Sequence, residues 1–600
     1  MNSIPITLLI LGVAIVLFLS DRFRPDLIAL LVLISLGLTG ILTAQESFSG
    51  FSRSAVITIM AIFILSEGLR VTGITEKIGE VLIRLAGSSE IRLIIVTMLS
   101  GAFFSLFMNN IAAAAILLPA IVDAGRKANI SPSRSLMPLA FGTILGGMAT
   151  LLTTTNIVVS SILRDSASAG YGLLDFAPIG LPIIMIGVAY MVVWGRRMLP
   201  AEPPIPILED QKTTAWELLK IYRLGERLFK AQVMEDSYLV GKKLSNSRLR
   251  DELGLNVVGI QRNHKTIFSI DPDIEFRPND VLIITSKDYA QAFEQARLKV
   301  LPLDNMTLAN LEAPNIHIIE AVLAPRSSLI GATLRQIHFR DKYGLNVLAI
   351  WRAGHPIRTG LQDLTLQFGD ALLLQGSQHT LPALRTEPDL LIIPGLLPKP
   401  LFGKAWLAGS IMVITLILAA SGIFQIGEIM LGGALAMILL GILSMDQVYK
   451  AIEWKSIFLI AGMLPLGIAM MKTGTAALLG DILVHHLAAA GPTAIMAGLI
   501  ALAILLTQAI NGPAVASILA PIAIQAAHAI NADPRAMAMG VALGTSMAFI
   551  TPLGHPVNIL VMGLGGYRFR DYVKVGLPLT VILFVLVIYL LPIVWPLSQH

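Results

Sequence analysis

Two short stretches gather polar side chains inside runs that are otherwise apolar. "LLTTTNIVVS", Leu151 to Ser160, sets three threonines beside an asparagine, and "TPLGHPVN", Thr551 to Asn558, sets a threonine, a glycine, a histidine and an asparagine among two prolines. At bilayer depth such hydroxyls and amides cost free energy unless they find partners, so their default role is to line a cavity. Their chemistry is that of binding. Threonine hydroxyls and a neighbouring amide suit a tetrahedral oxyanion, and amide oxygens with freed backbone carbonyls suit a small cation.

A second pair of stretches accompanies the first. "FMNNIAAAAILLPA" (Phe107 to Ala120) and "AINGPAVASILAPI" (Ala509 to Ile522) align with Asn109 on Asn511 and Pro119 on Pro521, each pair 402 positions apart. "FGTILGGMATLLTTTNIV" and "LGTSMAFITPLGHPVNIL" continue that register, pairing Gly142 with Gly544, Thr143 with Thr545 and Asn156 with Asn558. Asn110, Thr153, Thr154, Thr155, Gly512, His555 and Pro556 are therefore the candidate substrate-binding residues. Asn109, Asn156, Asn511, Thr551, Pro552 and Asn558 are the candidate cation-binding residues. Pro552 and Pro556 break their helix and free carbonyls, and Gly512 and Gly554 permit close backbone approach. Asn, Thr and Gly also glue packed membrane helices, and the matched spacing of two clusters is what favours a site.

Composition narrows the class. The chain has 600 residues, 55% of them hydrophobic and 14% charged, with mean hydropathy +0.75; this is an integral membrane protein. Apolar runs of spanning length fill residues 4–198 and 405–597, while 201–402 carry dense charge and alternating runs. The absence of cysteine excludes disulfides, thiolate metal sites and Cys-based catalysis. No nucleophile and base, and no metal-ligand spacing, stands out, so neither an enzyme nor a resident cofactor is expected. The net charge of +5 comes from bases at span ends, which topology explains without a nucleic-acid partner.

Each half parses into three spans, an apolar stretch broken at its asparagine, an interrupted span and a final span; in the first half these are about 4–19, 26–43, 54–72, a hairpin 91–123, 137–163 and 178–198. If the broken stretch enters and leaves on one side, each half crosses five times and the copies are inverted. Proposed inner loops hold eighteen Lys and Arg residues, whereas outer loops hold only Arg53, Arg164, Lys472 and Arg535. That bias puts residues 201–402 in the cytoplasm and both termini outside, in a multi-pass protein of the inner membrane. The opening apolar run has no base before it and two arginines after it, so it reads as a first span and not as a cleaved signal. Glu67, Asp481, His485 and His486 fall near span ends, where interfacial solvation accounts for them.

The stretches "FSGFSRSAVITIMAIFILSEGLRVTG" and "GLPLTVILFVLVIYLLPIVWP", with the asparagine-tipped hairpins, resemble the divalent anion:sodium symporter family within the ion transporter superfamily. The resemblance implies an inverted-repeat fold with two re-entrant hairpins, elevator-like movement, and sodium as coupling ion at the asparagine sites. In that family Ser-Asn-Thr motifs at the hairpin tips bind substrate and sodium. Here the flanking positions are Met108 and Asn110, and Ile510 and Gly512, so the dicarboxylate contacts do not carry over. Sulfate is the first expected substrate and a C4 dicarboxylate the second.

The insert holds its own repeat. "GKKLSNSRLRDELGLNVVGIQR" (Gly241 to Arg262) and "GATLRQIHFRDKYGLNVLAIWR" (Gly331 to Arg352) align without a gap, 90 positions apart, with ten of 22 residues identical. Each copy reads as an α+β unit and resembles the C-terminal lobe of regulators of potassium conductance, the TrkA C-terminal domain. The expected domains are 1–200 and 403–600 for the membrane repeats, 201–302 for a linker and first lobe, and 303–402 for the second lobe. No G-x-G-x-x-G precedes either copy, so the nucleotide-binding lobe is missing. The lobes imply a homodimer and a small regulatory ligand, or a scaffold that only orders the dimer. Tandem lobes inside this transporter class resemble algal and bacterial sulfate-type permeases. Alternatives are an exchanger like the aspartate:alanine exchangers, a proton-coupled anion permease, or a lobe-gated channel, though no T-V-G-Y-G-like filter run occurs.

Overall fold

The computed structural model describes residues 3–200, 228–392 and 402–597, apart from residues 21, 88, 129 and 167 in the first segment and 248, 250–252, 254, 263–264, 268–273, 286–289, 302–315, 324–326, 328, 353–354, 359, 368–369 and 378–389 in the second. The chain divides into a helical unit, residues 1–203 with 398–600, and a second unit, residues 204–397.

The first half of the helical unit runs α1 (Ser3–Leu19), α2 (Pro25–Leu38), α3 (Ser54–Val71), α4 (Ile74–Arg84), α5 (Glu90–Ser105), α6 (Asn110–Lys127), α7 (Leu136–Gly147), α8 (Thr154–Asp165) and α9 (Ala177–Tyr190). The second half repeats that order as α10 (Ala405–Ala420), α11 (Ile426–Leu439), α12 (Trp454–Thr473), α13 (Thr475–Leu487), α14 (Pro492–Thr507), α15 (Gly512–Ala529), α16 (Pro534–Ser546), α17 (Pro556–Gly565) and α18 (Phe569–Val594). Even the short connectors match. Ala44–Phe48 and Met445–Ala451 both open with a capping box, Thr43 with Glu46 and Ser444 with Gln447. Among the described residues, five helices are long and apolar enough to cross a membrane, as a multi-pass membrane protein requires.

Breaks appear where the sequence removes helix-formers. Asn109 and Asn511 precede α6 and α15, and Pro556 begins α17, where its fixed φ and missing N–H cost nothing. Glycine sets the packing next to them. A Cβ on Gly146 would lie 2.3 Å from Ala102 O and 2.4 Å from its Cα, so α5 and α7 touch backbone to backbone. A Cβ on Gly142 would be nearly as close to Met98 O (2.6 Å), whereas its repeat counterpart Gly544 is looser between α14 and α16, a Cβ there lying 3.0 Å from both Ala503 Cβ and Ile500 O.

Buried tyrosines join the halves. Tyr171 donates to Arg535 O (2.5 Å), Tyr190 to Val575 O (2.8 Å) and Tyr567 to Ser133 O (2.6 Å). Each places an apolar ring inside and gives its hydroxyl a carbonyl from the opposite half.

The second unit contains two sheets. Strands β1 (Leu228–Val233), β2 (Asn256–Arg262), β3 (Lys265–Ile267), β4 (Val281–Thr285) and β5 (Leu298–Leu301) pair in the order β3-β2-β4-β1-β5. Strands β6 (Ile316–Leu323), β7 (Leu345–Arg352), β8 (His355–Ile357), β9 (Ala371–Ser377) and β10 (Leu390–Ile392) pair as β8-β7-β9-β6-β10, the same order. All pairings are antiparallel, and β2 and β7 carry a bulge at matched positions, Val257/Gly259 and Val347/Ala349. The cores match as well: Leu239, Ile260, Phe276 and Leu282 fill one, Leu329, Ile350, Leu366 and Leu372 the other. A bidentate pair closes each sheet, Arg262 on buried Asp280 and Arg352 on buried Asp370, at 2.6 and 2.7 Å. The carboxylate hydrogen bonds hold both guanidinium pKa values above their ordinary level.

The glycine contacts give a direct test. Gly146→Ala must push α5 off α7, at a cost of about 1–3 kcal/mol, and is expected to lower the thermal unfolding midpoint and the monodisperse yield in detergent. Gly544→Ala is expected to be milder, since its nearest neighbours need yield only a few tenths of an ångström. Equal losses in the two variants would contradict the packing described.

Candidate functional site

The break between α7 and α8 is held open by the side chains that follow it. Thr153 takes extended backbone angles as N-cap of α8, and its Oγ1 donates to Gly147 O (2.9 Å). Asn156, one turn into α8 and fully buried, donates its Nδ2 to Thr150 O (2.7 Å) and Gly147 O (3.4 Å). Two carbonyls fix which end of the amide is nitrogen. The oxygen, Oδ1, is buried with no hydrogen-bond partner among the described residues.

The break between α16 and α17 repeats the device. Asn558, also fully buried, donates Nδ2 to Ala548 O (2.8 Å) and Thr551 O (3.3 Å), and its Oδ1 again has no partner among the described residues. A buried amide oxygen without a donor costs about 1–3 kcal/mol. Two of them at equivalent breaks are places where a donor or a small cation fits.

The hairpin tips meet these breaks crosswise. The Asn110 side-chain amide, at the start of α6, lies 3.2 Å from His555 Nε2, at the start of α17. His555 Nδ1 accepts from Val557 N–H (3.2 Å), so the neutral ring carries its proton on Nε2. In the structure Asn110 Nδ2 faces Nε2 and its Oδ1, beside Gly147, is the buried atom without a partner among the described residues; a proton on Nε2 is met by turning the amide over, which sets the oxygen on His555 and the NH2 in the break. On the other side, a Cβ on Gly512 would lie 3.0 Å from Thr155 Oγ1 and from Thr545 O, so the start of α15 abuts the start of α8. Two pairs of helix N-termini thus converge, each pair with one member from either half. Positive dipole ends meet there, which favours an anion, although the N–H groups of Ile111, Val557 and Ala514 are already taken by side-chain caps.

Other candidate residues are occupied by the chain itself. Asn109 Oδ1 accepts from Ile111 N–H (2.9 Å) and Asn511 Oδ1 from Ala514 N–H (3.4 Å), both as helix caps. Thr551 donates to Gln508 O (2.7 Å) and accepts from Gly554 N–H (3.1 Å). Pro552 lies in the break and Pro556 is the first residue of α17. Thr154 opens α8 half-buried, and Thr155 is 8% exposed. Asn110, Thr155, Gly512, His555 and the two clamping asparagines are the candidates that converge.

Gln508 is a residue that sequence reasoning missed. Its Nε2 donates to Met547 O (3.0 Å) and its Oε1 accepts from Ile550 N–H (3.2 Å), tying the end of α14 to the break after α16. The available signal was a lone glutamine ahead of "AINGP" in an apolar run.

A family model described as citrate transporter matches residues 15–544. The chain is similar to an uncharacterized transporter, YfbS, of Escherichia coli (34% identity, covering 98% of each chain) and to an uncharacterized transporter, sll0640, of Synechocystis (33% identity, 97% of this chain and 95% of the relative). It is also similar to sodium/sulfate cotransporter 1 of Chlamydomonas reinhardtii, at 26% identity over 60% of this chain and 42% of the relative.

The Asn110–His555 contact crosses the halves and is testable without a transport assay. A double-mutant cycle of Asn110→Ala and His555→Ala, read as thermal stability, is expected to give a coupling of about 0.5–1.5 kcal/mol. Additive effects would mean that the two side chains do not meet.

Proposed function

On the premise that this chain belongs to the citrate transporter family, and so transports where an enzyme would transform, we propose that it is a sodium-coupled symporter of a divalent oxyanion, sulfate foremost. The observation that carries the reading is the matched pair of buried amide oxygens, Asn156 Oδ1 and Asn558 Oδ1, each fixed by its own NH2 and each without a donor. Sodium takes oxygen ligands, and a carbonyl-rich break next to such an oxygen offers them without a net charge to neutralise. Coupling follows if the cations place positive charge beside the converging helix ends, so that the anion binds well only when they are present.

Sulfate is supported by the name of the algal relatives and by the donor set. Thr155 Oγ1 and the Asn110 NH2 are donors set among helix N-termini, and a tetrahedral dianion uses donors from several directions. In this reading the halves are inverted repeats, and Glu90–Lys127 and Pro492–Ala529 each enter and leave on one face. The body bearing those hairpins then moves as an elevator against a frame of α1–α3 and α10–α12. The two sheets of residues 228–392 are cytoplasmic lobes of the TrkA C-terminal kind, ordering a homodimer or sensing a small ligand, in the inner membrane.

Uptake of radiolabelled sulfate into proteoliposomes, with sodium and proton gradients imposed separately and citrate, succinate and other anions as competitors, tests the reading. Sodium-driven uptake that sulfate competes best is expected; counterflow indifferent to sodium would contradict it. Within that assay Thr155→Val is expected to raise the KM for sulfate about ten- to hundredfold, the worth of one hydrogen bond to a charged group. Thr153→Val should leave KM unchanged, because its hydroxyl is spent on Gly147 O. Asn156→Ala and Asn558→Ala should each raise the sodium concentration for half-maximal uptake. Unaltered sodium dependence in both would remove the asparagines from the cation sites.

A further inference from the structure

Four basic residues lie at the helix ends and connections assigned to the outer face, and three of them are neutralised locally. Lys472 pairs with Glu46 at 2.7 Å, Arg535 pairs with Asp175 at 3.1 Å and stacks 4.1 Å over the Trp595 ring, and Arg53 pairs with Asp165. Arg164 is different. Among the described residues it makes no ion pair, yet it lies folded over Gly170, where a Cβ would fall 2.3 Å from its Nε.

Arg53, Arg164 and Asp165 line one cavity of about 660 Å³, together with Ser160 and Ser161. Its lining charges sum to +1, concentrated by apolar walls on either side. Ser160 Oγ accepts from Tyr171 N–H (3.0 Å), which keeps the 170–173 loop on α8 and leaves the serine proton to donate inward. The cavity also reaches Leu151, inside the break, and Ile157, in the first turn of α8. Leu151 belongs to the break itself, so the space opens onto the stretch that also holds Thr153 to Asn156, although none of those four lines it.

We propose that this cavity is an antechamber that captures a divalent oxyanion before it enters the break. Arg164 supplies the unneutralised charge. Asp165 occupies Arg53 while the chamber is empty, and an arriving dianion replaces that carboxylate on the Arg53 guanidinium. The proposal rests on the oxyanion-carrier reading above, but it concerns residues that reading does not use.

The chain has no cysteine, so Ser161→Cys introduces a single thiol in the cavity wall, and Gly172→Cys serves as a second position if the first fails to fold. The probes are a sulfonate-bearing and a trimethylammonium-bearing methanethiosulfonate, each normalised to its rate with a free thiol. The anionic reagent is expected to react faster. Adding Arg164→Gln should cut that preference about three- to tenfold, and adding Asp165→Asn should increase it. Sulfate should slow labelling more than chloride at equal ionic strength. In transport, Arg164→Gln should raise KM several-fold with kcat kept, Arg164→Lys should restore it, and Asp165→Asn should lower KM. Opposite signs for Arg164→Gln and Asp165→Asn separate capture from mere structural support. A reagent preference indifferent to Arg164→Gln, or no sulfate protection beyond that of chloride, would overturn the antechamber. Absence of sulfate uptake by the unsubstituted protein would instead overturn the substrate reading.

Discussion

Unwinding a helix inside a membrane releases carbonyls that water cannot reach, and the molecule is organised around meeting that cost. Asn156 and Asn558 meet it in the same way, each sending its NH2 back to two carbonyls of the preceding break. Because the nitrogen is committed, the oxygen is aimed and left bare. A residue that braces the backbone thereby also leaves one polar atom free, and in the proposed reading bracing and binding are inseparable at these positions.

The neighbouring parts follow from holding two such breaks side by side. Gln508 and Thr507 tie α14 to the second break, Thr153 ties the first to its own helix, and the glycine seam of α7 on α5 brings the hairpin close enough for Asn110 to reach His555. Tyrosine hydroxyls buried between the halves keep the register of one against the other. The candidate site is therefore shared: each pair of converging helix ends takes one member from each half, so neither half alone could form it.

Much of this was legible because duplication leaves two copies of each signal. Asn109 with Asn511, Asn156 with Asn558, and Pro119 with Pro521 repeat at one spacing, and the helix order repeats with them. Residues 241–262 and 331–352 likewise foreshadowed two sheets with one strand order and one bulge position. What stayed hidden lacked a second copy or depended on direction. Gln508 stands opposite an apolar leucine in the repeat, so no pairing drew attention to it. Thr153, Thr154 and Thr155 are equivalent as letters, yet one hydroxyl is spent on a backbone carbonyl, one opens the helix, and one abuts Gly512 from the other half. The cavity lined by Arg53 and Arg164 joins segments far apart in the chain, and only the folded packing brings them together.

The central claim is that the two bare amide oxygens are cation ligands, and the most direct measurement is cation-dependent thermal stability of the purified protein with no anionic substrate present. A ligand that binds only the folded state raises the unfolding midpoint with its concentration. The account predicts that sodium raises the midpoint beyond potassium or choline at equal ionic strength, that Asn156→Ala and Asn558→Ala each weaken the response, and that the double variant abolishes it. A double variant that folds and still responds to sodium as the unsubstituted protein does would contradict the account.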